Sequence, residues 1–86
     1  MYEALLPIAQ DLNALDATLS APDSQQRVAR IAAAFDETAR RISSATQSAA
    51  SDGARIELQK LYRGMLAARR IVLTLQERRS EQRAVL

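Results

Sequence analysis

Cysteine and histidine are both absent from this 86-residue chain. Their absence excludes disulfides, thiolate nucleophiles, and imidazole or thiolate metal ligands. A chain without cysteine also fits a reducing compartment. Any chemistry of its own would depend on carboxylates, hydroxyls and the single lysine, Lys60.

Glycine, proline and aromatic residues are scarce. Gly and Pro occur twice each, and Phe and Tyr make up 3% of the residues. β-branched and aromatic side chains are therefore too sparse for a sheet. Ala, Leu, Arg and Gln are abundant, and these residues favour helix. The composition predicts an all-α fold in one domain spanning residues 1–86.

Long apolar runs are also missing. No stretch approaches the ~20 apolar residues that span a bilayer. Residues 1–20 have no basic region and contain three acids, unlike a secretory signal. We therefore expect a cytoplasmic protein.

No residue pattern indicates an enzyme. Gly53 and Gly64 are isolated, so no glycine-rich phosphate loop is present. Glu77 and Glu81 lie four residues apart on one helix face, but two exposed carboxylates make a poor cation site. We expect no catalytic residue, no bound metal and no cofactor.

Charge is distributed unevenly along the chain. Residues 1–21 carry a net charge of −3, residues 22–52 a net charge of 0, and residues 53–86 a net charge of +5. The acidic first segment could pack against the basic last segment or against a basic partner surface. Alternatively, the basic residues simply form a solvent-exposed face. The basic cluster of Lys60, Arg63, Arg70 and Arg78 also leaves a nucleic-acid accessory role open, although nucleic acid is an unlikely partner because no recognition signature is present.

Apolar residues recur at spacings of three and four, which predicts amphipathic helices. We expect helices near residues 5–20, 23–49 and 53–80, followed by a frayed tail over 81–86. Asp23 would cap the second helix with Gln26 three positions on, and Ser51 or Asp52 would cap the third. The architecture would be an antiparallel three-helix bundle, or an extended helical hairpin, with coiled-coil-like packing.

The third helix carries an unusually wide apolar arc. One stripe contains Leu58, Leu61, Met65, Ala68, Val72 and Leu75, and a second beside it contains Tyr62, Leu66 and Leu73. Such breadth indicates either a central helix or one with surface left for a partner. Arg69 lies between the stripes, so either its stem packs while its head reaches water, or it pairs with an acid such as Asp11, Asp16 or one on a partner.

The sequence over residues 58–72, LQKLYRGMLAARRIV, resembles the second helix of small type III secretion co-chaperones of the YscE/EscE kind. Those proteins are short cytoplasmic helical hairpins that support a larger helical-repeat chaperone. The resemblance implies a non-enzymatic binding role, with Leu61, Met65, Leu66, Val72 and Leu73 as contact candidates. Other small secretion components share this size and helicity.

We therefore predict a non-enzymatic protein-binding module, either a type III secretion co-chaperone or another small component of a secretion apparatus. The alternatives are a self-assembling homo-oligomer and a nucleic-acid accessory protein. The partner would be another helical protein or a second copy. The predicted partner-binding residues are Leu61, Tyr62, Met65, Leu66, Arg69, Val72 and Leu73.

Overall fold

The computed structural model describes the backbone of residues 1–85 and the side chains of residues 1–82. The described backbone contains helices and no strand, which confirms the all-α prediction. The elements are a 3-10 helix (Glu3–Ile8), α1 (Ala9–Asn13), α2 (Leu15–Ser20), α3 (Ser24–Gln47) and α4 (Asp52–Val85). None of the helices in this part of the chain has the length and apolar character needed to cross a membrane.

The first predicted helix, near residues 5–20, is broken twice. Pro7 lies in the 3-10 helix, and regular α-helix starts only at Ala9, because proline lacks the donor that a helix interior needs. A second break occurs at Ala14, where φ is −125° and ψ is 52°. The buried Thr18 hydroxyl donates across this break to the carbonyls of Asp11 (2.9 Å) and Ala14 (3.2 Å). Nothing in the local sequence marks the break, because alanine is the best helix former.

The cap predicted for α3 is wrong. Asp23 occupies the capping position, but its side chain forms no capping hydrogen bond, and its carboxylate instead pairs with Arg27 at 2.9 Å. The physical reason is its backbone, with φ −100° and ψ 28°, whereas a capping side chain requires a residue in the extended region. The cap predicted for α4 is correct in the case of Ser51, whose Oγ accepts a hydrogen bond from the Ala54 amide at 3.1 Å.

The connection between α3 and α4 comprises residues 48–51. Gly53 follows this connection and lies in the first helical turn of α4. A Cβ at this position would meet nothing within 4 Å. At the other end, α4 continues to Val85, five residues past the predicted end at 80 and into the predicted frayed tail over 81–86. Leu86 lies outside the described residues.

Helix α3 is the centre of the molecule. On one side it forms an antiparallel hairpin with α4, held by contacts that include Asp36 with Arg69 and Ser24 with Gln76. On the other side it contacts the N-terminal segment, residues 3–20, which runs antiparallel to it. The result combines both predicted arrangements: an extended hairpin with a third, broken layer, measuring 54 × 22 × 16 Å.

The core lies between these three layers. Its buried apolar side chains come mostly from α3, and Ile31 and Ile42 are fully buried. The N-terminal segment contributes Ile8 and Leu19, and Val72 is the one buried side chain among the described residues of α4. Of the two roles predicted for the third helix, the structure therefore shows the one that leaves apolar surface uncovered.

Candidate functional site

Helix α4 buries very little of itself. Its 34 residues make it the longest helix described, yet among residues 52–82 only Val72 is buried, whereas the 24-residue α3 buries nine side chains. The wide apolar arc predicted for this helix is thus only partly covered: Met65, Ala68, Leu73 and Leu75 pack against the core without being fully buried. Packing within this chain therefore does not account for the width of the apolar surface on α4.

The exposed part is concentrated where the hairpin turns. We call residues 43–64 the hairpin tip; none of them is buried. The N-terminal segment does not reach the tip, because its first turn lies beside Arg41, where the Glu3 carboxylate pairs with that guanidinium at 3.1 Å. The tip is therefore formed by two helices alone, so each of them has only one neighbour to cover its apolar surface.

The seven predicted partner-binding residues fall into three groups. Leu61 and Tyr62 are exposed, at 38% and 37% of their full area. Leu66 is half-buried and lines a shallow groove on α4. The others are engaged within the chain: Met65 and Leu73 pack against the core, Val72 belongs to the core, and Arg69 is ion-paired. A role for any of these side chains in partner binding stays a prediction.

Two exposed apolar side chains were missed. Ile56 is 52% exposed and Ile71 is 59% exposed, and neither was among the predicted site residues. At about 100° per residue, both point away from the apolar stripes of α4. Single apolar residues on a polar face are common, so the sequence offered only the weak signal of two isoleucines among charged neighbours.

Arg69 pairs with an acid, but with neither of those proposed. Its Nε lies 3.0 Å from Asp36 Oδ1, so the ion pair joins α4 to α3. Asp11 faces Arg27 at 3.6 Å, and Asp16 faces Arg79 at 3.2 Å. The Asp36–Arg69 pair is half-exposed, so we expect it to orient the two helices more than to stabilise them.

The expected attraction between the two ends of the chain is realised at one pair. Arg79 of α4 contacts Asp16 and also donates a hydrogen bond to Ser20. The other acids of the N-terminal segment, Glu3 and Asp11, pair with arginines of α3. Four of the seven described bases of α4 are in ion pairs, and three are not. Arg63, Arg70 and Arg78 form no ion pair with any side chain among residues 1–82.

The two adjacent acids of α3 have different partners. Glu37 accepts hydrogen bonds from both Arg40 (2.5 Å) and Arg41 (3.2 Å), while Asp36 turns to α4. The Arg40 hydrogen bond, followed by that of Arg41, holds the pKa of Glu37 below its ordinary value of 4.5. Because Arg41 also binds Glu3, this cluster ties the N-terminal segment to α3.

We expect this cluster to make stability fall in acid. A carboxylate with a lowered folded-state pKa stabilises the fold above about pH 4.5 and loses that contribution as pH falls through the folded-state pKa. Glu37→Gln should therefore lower the urea midpoint at pH 7 and flatten its decline below about pH 4.5. Glu77→Gln is the control, since Glu77 forms no ion pair among the described side chains. Superimposable acid profiles for Glu37→Gln and the unsubstituted chain would contradict the expectation.

Nothing in the described residues assembles a metal site. No group of three or more acidic side chains lies close enough to hold an ion in this part of the chain. Lys60 is the only lysine, and it pairs with Glu57 at 3.4 Å. The feature that stands out is thus a surface, formed by the hairpin tip and the adjoining half of α4.

Comparison with known protein families gives a match over most of the chain. Residues 2–78 match the family of the type III secretion system regulatory protein HrpD6. No curated protein and no solved structure matches the chain. The match covers all three layers of the fold and α4 as far as residue 78, and it confirms the expectation of a small type III secretion component. The chain therefore belongs to the HrpD6 family of type III secretion system regulatory proteins.

Proposed function

We propose that this chain is a non-enzymatic, cytoplasmic protein-binding module that regulates type III secretion by packing its hairpin tip and α4 against another component of the system. The observation that carries the proposal is the contrast between the two long helices. α3 is buried along its length to Ile42, whereas the described part of α4 buries only Val72 and exposes several large apolar side chains.

The energetics favour a partner for this surface. Covering ~500 Å² of apolar surface at ~25 cal/mol per Å² would contribute ~12 kcal/mol before costs. Ordering and association consume much of that sum. The remainder is enough for a specific complex, in which a few large side chains would dominate the affinity. Tyr62 and Leu66 are the best placed, because they are accessible and adjacent on one side of α4.

A co-chaperone role is one form that this proposal can take. A co-chaperone shields an apolar surface of its partner, and the uncovered surface of α4 is suited to that task because it can be buried without unfolding the rest of the chain. The family supports a regulatory role in secretion. A module that sequesters or releases a secretion component by helix packing would regulate secretion without catalysis.

Site-specific photo-crosslinking in the bacterium that carries this chain tests the proposal. A photoreactive residue at position 62 or 66 should form adducts with another protein of the secretion system. The same residue at position 29 is the control, because Ala29 is exposed on α3, far from the tip. The adducts should vanish in cells that lack the secretion genes. Equal adduct yields at all three positions would contradict a docking role for α4.

A further inference from the structure

The charges beside the uncovered apolar surface follow a regular order. Arg63, Arg70 and Glu77 lie seven residues apart, and all three are exposed. At about 100° per residue they project in nearly the same direction from α4. The apolar side chains Tyr62, Leu66 and Leu73 follow α4 beside them. We call these three apolar residues with the three charged ones the charged stripe.

The groove on α4 joins the two rows. Its lining includes Leu66 and Leu73 of the apolar row and Arg70 and Glu77 of the charged row, with Arg69 and Thr74 at its two edges. Arg69 already has its acid in Asp36. Arg63 and Arg70 have none among the described side chains, so each can meet a carboxylate from outside.

The length of the stripe indicates what can lie along it. From residue 62 to residue 77 an α-helix rises about 22 Å, or a little over four turns. A second helix of about four turns has the same length and can present both apolar and charged side chains to it. A seven-residue interval is two helical turns, so charges seven apart on one helix can face charges seven apart on another.

We infer that the partner in the proposed function binds the charged stripe through an amphipathic helix carrying an acid, an acid and a base at successive seven-residue intervals. The two acids would meet Arg63 and Arg70, and the base would meet Glu77. This inference rests on the proposed function, since it names the chemistry of the surface that docks there. The apolar row would supply affinity, and the charges would set register and direction.

The charge order also distinguishes this partner from others. A second copy of the chain placed antiparallel can match Arg63 with Glu77, but it then brings Arg70 against Arg70. Between Glu57 and Glu77 the chain has four bases and no acid, so other alignments of this segment on itself bring like charges together. A nucleic acid or an anionic membrane would suit the arginines but would be repelled by Glu77 and Glu81.

Charge reversal tests the inference in the crosslinking assay. With the photoreactive residue at position 66, Arg63→Glu and Arg70→Glu should each lower the adduct yield about threefold, and the double variant about tenfold. Arg30→Glu is the matched control, an exposed arginine of α3 without an ion pair in the described part of the chain. Its adduct yield should be unchanged. Circular dichroism should show the same helicity for all four variants.

The identity of the crosslinked peptide supplies the second readout. Mass spectrometry should locate the adduct in a partner helix with two acids seven residues apart, and reversing those acids to lysine should restore adducts with the double variant. Full yield from the double variant, an adduct with a second copy of this chain, or a partner segment without acids would each overturn the inference. In those cases, adducts that still form at positions 62 and 66 but not at position 29 would support the proposed function. Equal adduct yields at positions 62, 66 and 29 would refute the proposed function itself.

Discussion

Replacing Ile31 with Ala is expected to lower the free energy of unfolding by about 3 kcal/mol, whereas the same replacement at Ile71 should change it by less than about 0.5 kcal/mol. Ile31 is fully buried in α3, and Ile71 is 59% exposed on α4. The two substitutions remove the same atoms, both from helices. They differ only in whether the lost atoms were packed.

The reason for the first effect is that α3 supplies most of the buried apolar surface. Ile31 belongs to the core cluster that joins Ile8, Leu19 and Val72 from the other two layers. Truncating it would leave a cavity in this cluster. A chain of this size has a total stability of roughly 4–13 kcal/mol, so a loss of about 3 kcal/mol is a large share.

The exposed isoleucine should behave in the opposite way. In the free chain, Ile71→Ala removes little packing and replaces a β-branched residue by the best helix former, a gain of a few tenths of a kcal/mol. Urea unfolding followed by circular dichroism measures both variants, at low and at high protein concentration. A large loss at Ile71 that grows with concentration would mean that a second copy covers α4. Equal losses at low concentration would contradict the central position of α3.

The combined substitution Tyr62→Asp and Leu66→Asp is expected to reduce partner binding by roughly 100-fold or more while leaving the urea midpoint nearly unchanged. Tyr62 is 37% exposed, and Leu66 lines the groove instead of the core. Placing two carboxylates on the apolar row would leave them desolvated and unpaired beneath a partner helix. Adduct formation from position 61 and secretion of type III substrates measure the effect.

A matched control is available on α3. Gln25 and Ala29 are both exposed and also four residues apart, so Gln25→Asp with Ala29→Asp adds the same charges at the same spacing. This control should retain binding and secretion. The outcome that would count against the proposal is a double variant at 62 and 66 that folds and still supports normal secretion. Leu73 is unsuitable for this test, because it packs against the core and an acid there would destabilise the fold.

Periodicity predicted the two long helices well because it is a local property. Spacings of three and four placed apolar residues on one face of α3 and of α4, and both helices formed near the predicted bounds. Ser51 caps α4 as predicted, because a serine hydroxyl reaches an amide three residues on without help from the rest of the chain. The predicted cap at Asp23 does not form because the backbone of Asp23 is not extended and its carboxylate pairs with Arg27.

The candidate site was only partly predictable for the same reason. An apolar arc shows how much apolar surface a helix offers, but not how much of it the other helices cover. Val72, Met65 and Leu66 occupy similar apolar positions in sequence, yet one is buried, one packs at the edge of the core and one lines an open groove. The sequence also could not show which acid pairs with Arg69, because Asp36 is 33 residues away in the chain.

By itself the sequence determined that this protein is helical, that its long helices begin and end near residues 24, 47 and 52, and that its last third is basic and rich in apolar side chains. These properties follow from composition, spacing and local hydrogen bonding. Only the tertiary structure decided that α3 is central, that the N-terminal segment breaks at Ala14 and does not reach the tip, and that part of the apolar surface of α4 remains exposed. Those outcomes depend on which apolar surfaces compete to cover α3, and burial is a property of the whole chain.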